Sequence, residues 1–223
     1  MVTLGYISIF IALVVAVYTT LAAFIGARRH VNELVASARN GILAYTALMT
    51  VAIGVLVIAL YTRDFSIALV ANSTSRDLQT LYAITALWSN QAGSLLFWSW
   101  ILSLYSAVVI LRKWERDRDL MPYVVATLMA LQTFFAFMLA FISSPFARWW
   151  SVGRNNPVMA LFPPTGATLF IPPDGQGLNP LLQHPAMAIH PPMLYLGYVG
   201  FTIPFAFAMA APRFAFCPVQ IDM

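Results

Sequence analysis

Five stretches of the chain are apolar and uncharged: Leu4–Ala27, Gly41–Tyr61, Gly93–Leu111, Tyr123–Ile142 and Met193–Ala211. Each is close to the roughly 20 residues a helix needs to cross a hydrocarbon core. Strands that cross a membrane alternate polar and apolar positions over about 10 residues, and these runs do neither. Lipid offers no water to an unpaired amide or carbonyl, so such runs satisfy their backbone internally, as helices. Their ends carry charge or proline: Arg28-Arg29, Arg63-Asp64, Arg112-Lys113, Pro122, Pro145, Pro191-Pro192 and Pro212-Arg213. The pattern predicts an all-α polytopic membrane protein of about five spans. Between the fourth and fifth spans it leaves a long loop rich in Pro, Gly and Trp.

Composition then closes alternatives. Hydrophobic residues make up 61% of the chain and charged residues 9%, too few charges to coat a water-soluble domain. The net charge of +4 comes from basic residues that are scattered or lie beside acidic ones. No basic stripe for nucleic acid forms, so nucleic acid is excluded as a partner and the lipid bilayer is the medium. The single cysteine, Cys217, rules out an intrachain disulfide or a cysteine-based metal cluster. The first span follows no basic region and is too long for a signal core, so it reads as a retained helix.

Charge also orients the spans. Arg28, Arg29 and Arg39 outweigh Glu33 in the first loop, and loop 112–120 carries Arg112, Lys113, Arg116 and Arg118. Segments 62–92 and 143–192 hold only Arg63 and Arg76, and Arg148 and Arg154. Basic-rich loops stay in the cytoplasm. The expected arrangement in a bacterial inner membrane therefore has the N-terminus and both long segments outside and the C-terminus inside. The spans show no internal repeat and contain no ionisable acidic or basic group. That speaks against half of an ion-coupled transporter or channel; a structural subunit of a respiratory complex stays as a further alternative.

Three stretches are richer than lipid contact requires. Leu81–Trp100 holds Trp88, Phe97, Trp98 and Trp100 around Ser89-Asn90-Gln91. Helical spacing puts Phe97 and Trp100 on one face and turns Trp98 nearly opposite, so no single flat platform unites all three. An aromatic belt at headgroup level is the plain alternative for Trp88. Pro145–Gln183 opens with Trp149 and Trp150 and is punctuated by Pro and Gly, which opposes regular helix. Its apolar content predicts an ordered lid on the membrane surface. His184–Tyr198 holds two of the three histidines, and His190 precedes Pro191-Pro192. That placement predicts a rigid, extended lead-in to the fifth span with an imidazole at the outer surface. Imidazole can ligate haem iron or another transition metal, or carry protons, and a lone surface histidine can equally have no such role. His30, in the basic loop, is read as orientation charge.

The segments LYAITALWSNQAGSLLFWSW, RNNP, DGQGLNPLLQ and IHPPMLYLGYVGFTIPFAFA resemble the N-terminal part of CcmF-type cytochrome c haem lyases, from about residue 4 to about residue 211. The Gly-Leu-Asn-Pro-Leu-Leu-Gln run followed by His-Pro-Pro-Met-Leu-Tyr is the most specific part. Trp88, the Gly-Ser-Leu-Leu at Gly93–Leu96 and Trp98 are less so. The resemblance implies cytochrome c biogenesis: transferred b-type haem is taken from the chaperone CcmE and presented to the Cys-x-x-Cys-His motif of apocytochrome c. A CcmH-type thiol-handling subunit is a further implied partner. It also implies that His190 is an axial ligand to the haem iron. Trp88, Phe97, Trp98, Trp100, Trp149 and Trp150 become candidate haem contacts. Arg148 and Arg154 become candidate propionate contacts, with headgroup phosphates as their alternative. His184 is a candidate neighbour only, and no catalytic residue is assigned.

Full-length members of that family continue beyond this length, with a Trp-Trp-x-Trp-Asp segment and further histidine ligands. Residues 1–211 are therefore expected to form the N-terminal transmembrane part. Residues 212–223 (PRFAFCPVQIDM) depart from the pattern, as a truncated, split or frameshifted reading would produce. On this reading the chain is a haem-lyase component, incomplete alone, that needs the missing C-terminal lyase segment.

Overall fold

The computed structural model describes residues 1–112, 117–153 and 157–211. Arg154, Lys113, Arg116, Cys217 and the tail 212–223 lie outside the described residues. Helices α1 (Val2–Arg29) and α2 (Asn32–Thr62) form an antiparallel hairpin. The turn between them is tight: His30 is left-handed (φ 53°, ψ 38°), and the Val31 N–H donates to Gly26 O at 3.0 Å. Along α1, Gly5, Ser8, Ala12, Ala16, Thr19, Ala23 and Gly26 recur three and four apart and are buried. Small residues at that spacing let helix backbones approach where lipid provides no hydrophobic drive between them. Gly41 of α2 meets Thr19 so closely that a Cβ there would overlap its hydroxyl.

Helix α3 (Ala68–Ser73), helix α4 (Thr80–Thr85) and a single 3-10 turn (Ala86–Trp88) lead into α5 (Gln91–Arg112). Helix α6 (Met121–Phe137) starts with Pro122 in its first turn, where the missing amide is harmless, and ends in a π-helical turn, Met138–Ile142. Helices α1, α2, α5 and α6 enclose the core. At its centre the Tyr45 hydroxyl pairs with Ser99 Oγ at 2.8 Å. Ser99 Oγ donates to Gln132 Oε1 at 2.8 Å, and Gln132 Nε2 donates back to Ser99 O at 3.1 Å. All three side chains are fully buried. The cluster pins α2, α5 and α6 in one register, because a buried amide without partners is costly in lipid.

The long loop contains a small antiparallel sheet of order β2-β1-β3, from β1 (Arg148–Ser151), β2 (Val158–Ala160) and β3 (Thr168–Phe170). Backbone bonds lash it to α3. Ala68 N donates to Ala147 O at 2.8 Å, Gln176 N to Ala71 O at 2.8 Å, and Gly177 N to Thr74 O at 3.0 Å. A Cβ on Gly175 would overlap the Thr74 carbonyl, so glycine lets the two backbones touch. Phe146 is buried with its ring against Gly5 of α1. The start of α1, segment 63–90 and the loop 143–184 therefore share one side of the bundle, hereafter the loop side. That common side is what the charge pattern predicted.

The fifth span differs from the sequence reading. Helix α7 (Pro185–Gly200) begins well before Met193 and takes in Pro191 and Pro192; α8 (Thr202–Ala210) continues it after a break at Phe201. His190 is therefore on a helix and not on an extended lead-in. The helix can start early because Pro185 sits in its first turn and His184 caps it. Two prolines in the following turns remove only the amides that would reach the Met187 and Ala188 carbonyls.

Candidate functional site

The aromatic stretch at the loop side is shaped by a turn. Asn90 Nδ2 donates to Ala86 O at 2.9 Å, and its Oδ1 accepts from Gly93 N at 2.9 Å. Gly93 packs on the Leu87 carbonyl, where a Cβ would overlap. Ser89-Asn90-Gln91 is thus a helix-starting turn, and it delivers Trp88 beside α5.

Four of the candidate aromatics lie on α5 and the turn before it, between α7 and α2. Trp88 and Phe97 have ring centroids 5.7 Å apart, and Phe97 stacks on Trp100 at 6.0 Å. Trp100 Nε1 donates to Thr50 Oγ1 of α2 at 3.0 Å. Trp98 makes no ring contact with Phe97 or Trp100, as its helical spacing leads one to expect, and joins the group only through a ring of α7. Tyr195 of α7 lies 5.8 Å from Phe97 and 5.5 Å from Trp98, both edge-to-face. Successive helix positions differ by about 100°, so one ring from a neighbouring helix can touch both. Trp98 also meets Phe135 of α6 at 6.0 Å, and its Nε1 is buried without a hydrogen-bond partner.

The other candidates serve the sheet. Trp149 packs against the core and, with Phe170, Pro157 and Asp174, lines a cleft of about 240 Å³ beneath α3. Trp150 Nε1 donates to Ala160 O of β2 at 3.0 Å. Arg148 pairs in register with Ala160 and is partly exposed. His184 is exposed and caps α7, its Nδ1 accepting from Ala186 N at 3.1 Å. That nitrogen is engaged, leaving Nε2 as its open position. His30 lies at the opposite end of α1 from Gly5.

His190 stands in the second turn of α7, exposed, and no described residue hydrogen-bonds its imidazole. Among the described residues no three His, Cys, Asp or Glu side chains gather as a metal site. A single free imidazole can hold a metal firmly only if the metal arrives with most of its ligands, as iron does in a porphyrin. The aromatic rings pack on the Tyr195 face of α7, and His190 projects from a different, exposed face of the same helix.

Sequence reasoning missed Tyr195, Ser94 and Met187. Tyr195 O–H donates to Ser94 Oγ at 3.2 Å, and Ser94 Oγ donates to Trp88 O at 3.0 Å. Trp88 Nε1 donates to Met187 O at 3.4 Å. The signal for the last was present: Pro191 follows Met187 by one helical turn, so its carbonyl lacks an intrahelical donor.

Residues 88–215 match the family described as Cytochrome C assembly protein. The chain is 36% identical over 208 residues to the cytochrome c-type biogenesis protein CycK of Rhizobium meliloti, covering 93% of this chain and 28% of that one. It is 34% identical over 208 residues to CcmF of Pseudomonas aeruginosa, covering 93% of this chain and 29% of that one. It is 35% identical over 193 residues to the probable biogenesis protein NrfE of Escherichia coli, covering 86% of this chain and 32% of that one. In three dimensions it resembles a solved structure of the cytochrome c haem lyase CcmF, with a TM-score of 0.74 and 24% identity, over 96% of this chain and 31% of that one. That likeness speaks for the fold: a polytopic helical membrane protein. The chain spans under a third of the length of each of these relatives.

Proposed function

The chain belongs to the cytochrome c assembly protein family, and from that premise we propose that it receives haem at the outer face of a bacterial inner membrane. In this reading His190 holds the iron while haem passes from a CcmE-type chaperone to apocytochrome c, with a CcmH-type subunit presenting the cysteines. The observation that carries it is the exposed, unbonded imidazole of His190 on a helix clasped against Trp88, Phe97 and Trp98. Residues 1–211 act as the receiving part. Forming the thioether bonds calls on residues beyond the segment the chain shares with its relatives. The loop side faces outward because the opposite side carries Arg28, Arg29 and Arg118.

His190→Ala is expected to lower haem captured from the chaperone at least tenfold, read as a pyridine haemochrome at equal membrane abundance. His30→Ala leaves capture unchanged, and His184→Ala has a smaller effect than His190→Ala. Equal capture by His190→Ala and the parent chain overturns the ligand assignment. Orientation is tested in a Cys217→Ser background. Leu181→Cys, on the 82% exposed Leu181, reacts with an impermeant maleimide in intact cells, and Asp119→Cys does not. The reverse pattern inverts the topology and removes the site from the outer face.

A further inference from the structure

Pro191 and Pro192 stand inside α7. A proline has no amide hydrogen, so the carbonyl four residues before it loses its helical donor, and the helix is free to bend there. For Pro191 that carbonyl is Met187 O. The donor that reaches it is the Trp88 indole Nε1–H, at 3.4 Å and 99 positions away in sequence. Further along α7, Tyr195 O–H bonds Ser94 Oγ, which bonds the Trp88 carbonyl. Both ties end on Trp88, and His190 lies between their anchor points on α7. Trp88 is itself held. Its ring meets Phe97, Phe97 stacks on Trp100, and Trp100 is bonded to Thr50 of α2.

We propose that Trp88 is a positioning residue: its indole N–H stands in for the amide that Pro191 lacks and so fixes the outer turns of α7 that carry His190. The consequence for haem rests on the reading of His190 as its ligand. The chain of contacts refers the imidazole to the α2–α5 scaffold and not to the lipid that surrounds the rest of α7. An indole of an aromatic belt would point to headgroups and be indifferent to residue 191. The Trp88 N–H is instead directed at the carbonyl Pro191 deprives.

This makes the two residues interdependent, which a double-mutant cycle reads. Trp88→Phe keeps a ring and removes the donor. Pro191→Ala restores an amide hydrogen within α7, so Met187 O no longer needs the indole. Two readouts are taken on the full chain in detergent with Cys217→Ser. The first is the distance between spin labels at Leu104→Cys and Ile189→Cys, both exposed positions, which is independent of haem. The second is affinity for added haemin by its Soret band. With Pro191 present, Trp88→Phe is expected to broaden and shift the spin-label distance and to weaken haemin binding about fivefold, the scale of one ordinary hydrogen bond. With Pro191→Ala present, Trp88→Phe changes haemin binding less than twofold and leaves the distance where it was. Equal effects of Trp88→Phe in both backgrounds, on the distance or on haemin, overturn the proposal and leave Trp88 as a packing residue. Should Trp88→Phe fail to fold, the benzothienyl analogue of tryptophan at position 88 keeps the shape and lacks only the N–H; it serves in the same cycle. His190→Ala separates the two readings: unchanged haemin binding there sinks the ligand assignment, while the spin-label cycle still decides the role of Trp88.

Discussion

The α1–α2–α5–α6 bundle and the α7–α8 pair are both apolar enough to cross a membrane and are held in different ways. In the most apolar stretch of each span, 39%, 44%, 50% and 44% of residues are buried for α1, α2, α5 and α6, against 17% for α7–α8. The bundle is sealed by small residues on α1 and by the Tyr45–Ser99–Gln132 cluster. The pair is broken at Phe201 and carries Pro191, Pro192 and Pro204. It meets α5 and the turn before it through the Tyr195 ring contacts and three single hydrogen bonds, Trp88 to Met187, Tyr195 to Ser94, and Tyr105 O–H to Leu196 O at 3.1 Å, while only Val199, Ala206 and Ala210 of the pair are buried in the common core. Hydropathy marks both as spans. What separates the two is how much of each surface is already covered.

That contrast can be broken by a core deletion. Leu56 of α2 is fully buried, and Leu56→Ala is expected to cost about 2–5 kcal/mol through lost contacts and a residual cavity. Unfolding by dodecyl sulfate in mixed micelles measures it. A loss below about 1 kcal/mol would mean that the bundle is as loosely packed as α7–α8. Next in size is Gln132→Leu, which leaves Ser99 Oγ and the Tyr45 hydroxyl to repartner in the interior. About 1–3 kcal/mol is expected for stranding a buried polar group. Restoring full stability by also changing Ser99→Ala would show that satisfying these groups, and not the network itself, is what the bundle needs.

The pair should respond far less. Tyr195→Phe keeps both ring contacts and loses the bond to Ser94, so about 0.6 kcal/mol is expected, the average for interhelical hydrogen bonds in lipid. Phe201 is 74% exposed, and Phe201→Ala is expected to stay within about 0.5 kcal/mol of the parent. A large loss from either substitution, in the same micelle titration, would place the bundle and the pair in one cooperative unit.

Much of this arrangement is legible in the sequence. Three spans match the expected bounds within a few residues because charges and prolines mark where a helix leaves the hydrocarbon. Helix α2 matches at its end but starts nine residues earlier, at Asn32, since its first turns carry Glu33 and Arg39, and the side shared by segments 62–92 and 143–192 followed from the arginine count. The start of α7 is not legible, since Pro191-Pro192 reads locally as a helix breaker and only a residue 99 positions away compensates it. The strands of the loop escaped notice because they are three or four residues long, too short to show alternation. Of the candidate site, His190 and the Trp88–Trp100 aromatics were singled out by residue type. Tyr195, which touches Phe97 and Trp98 at once, was not, because a tyrosine in an apolar run gives no sign of what it faces. Trp149 and Trp150 were read as part of the same surface. On β1 one packs against the core and the other bonds β2.

The seat of Phe146 on Gly5 ties the earliest part of the chain to one made much later. The notch is carried into the bilayer with the first helix and has no occupant until α6 has crossed and turned. Closure of the loop on α1 thus has to follow the insertion of α6, and the Ala68 amide gains its acceptor, Ala147 O, only then. Chains that end just short of residue 146 would insert their first four spans and leave the Ala68 amide free to exchange with water.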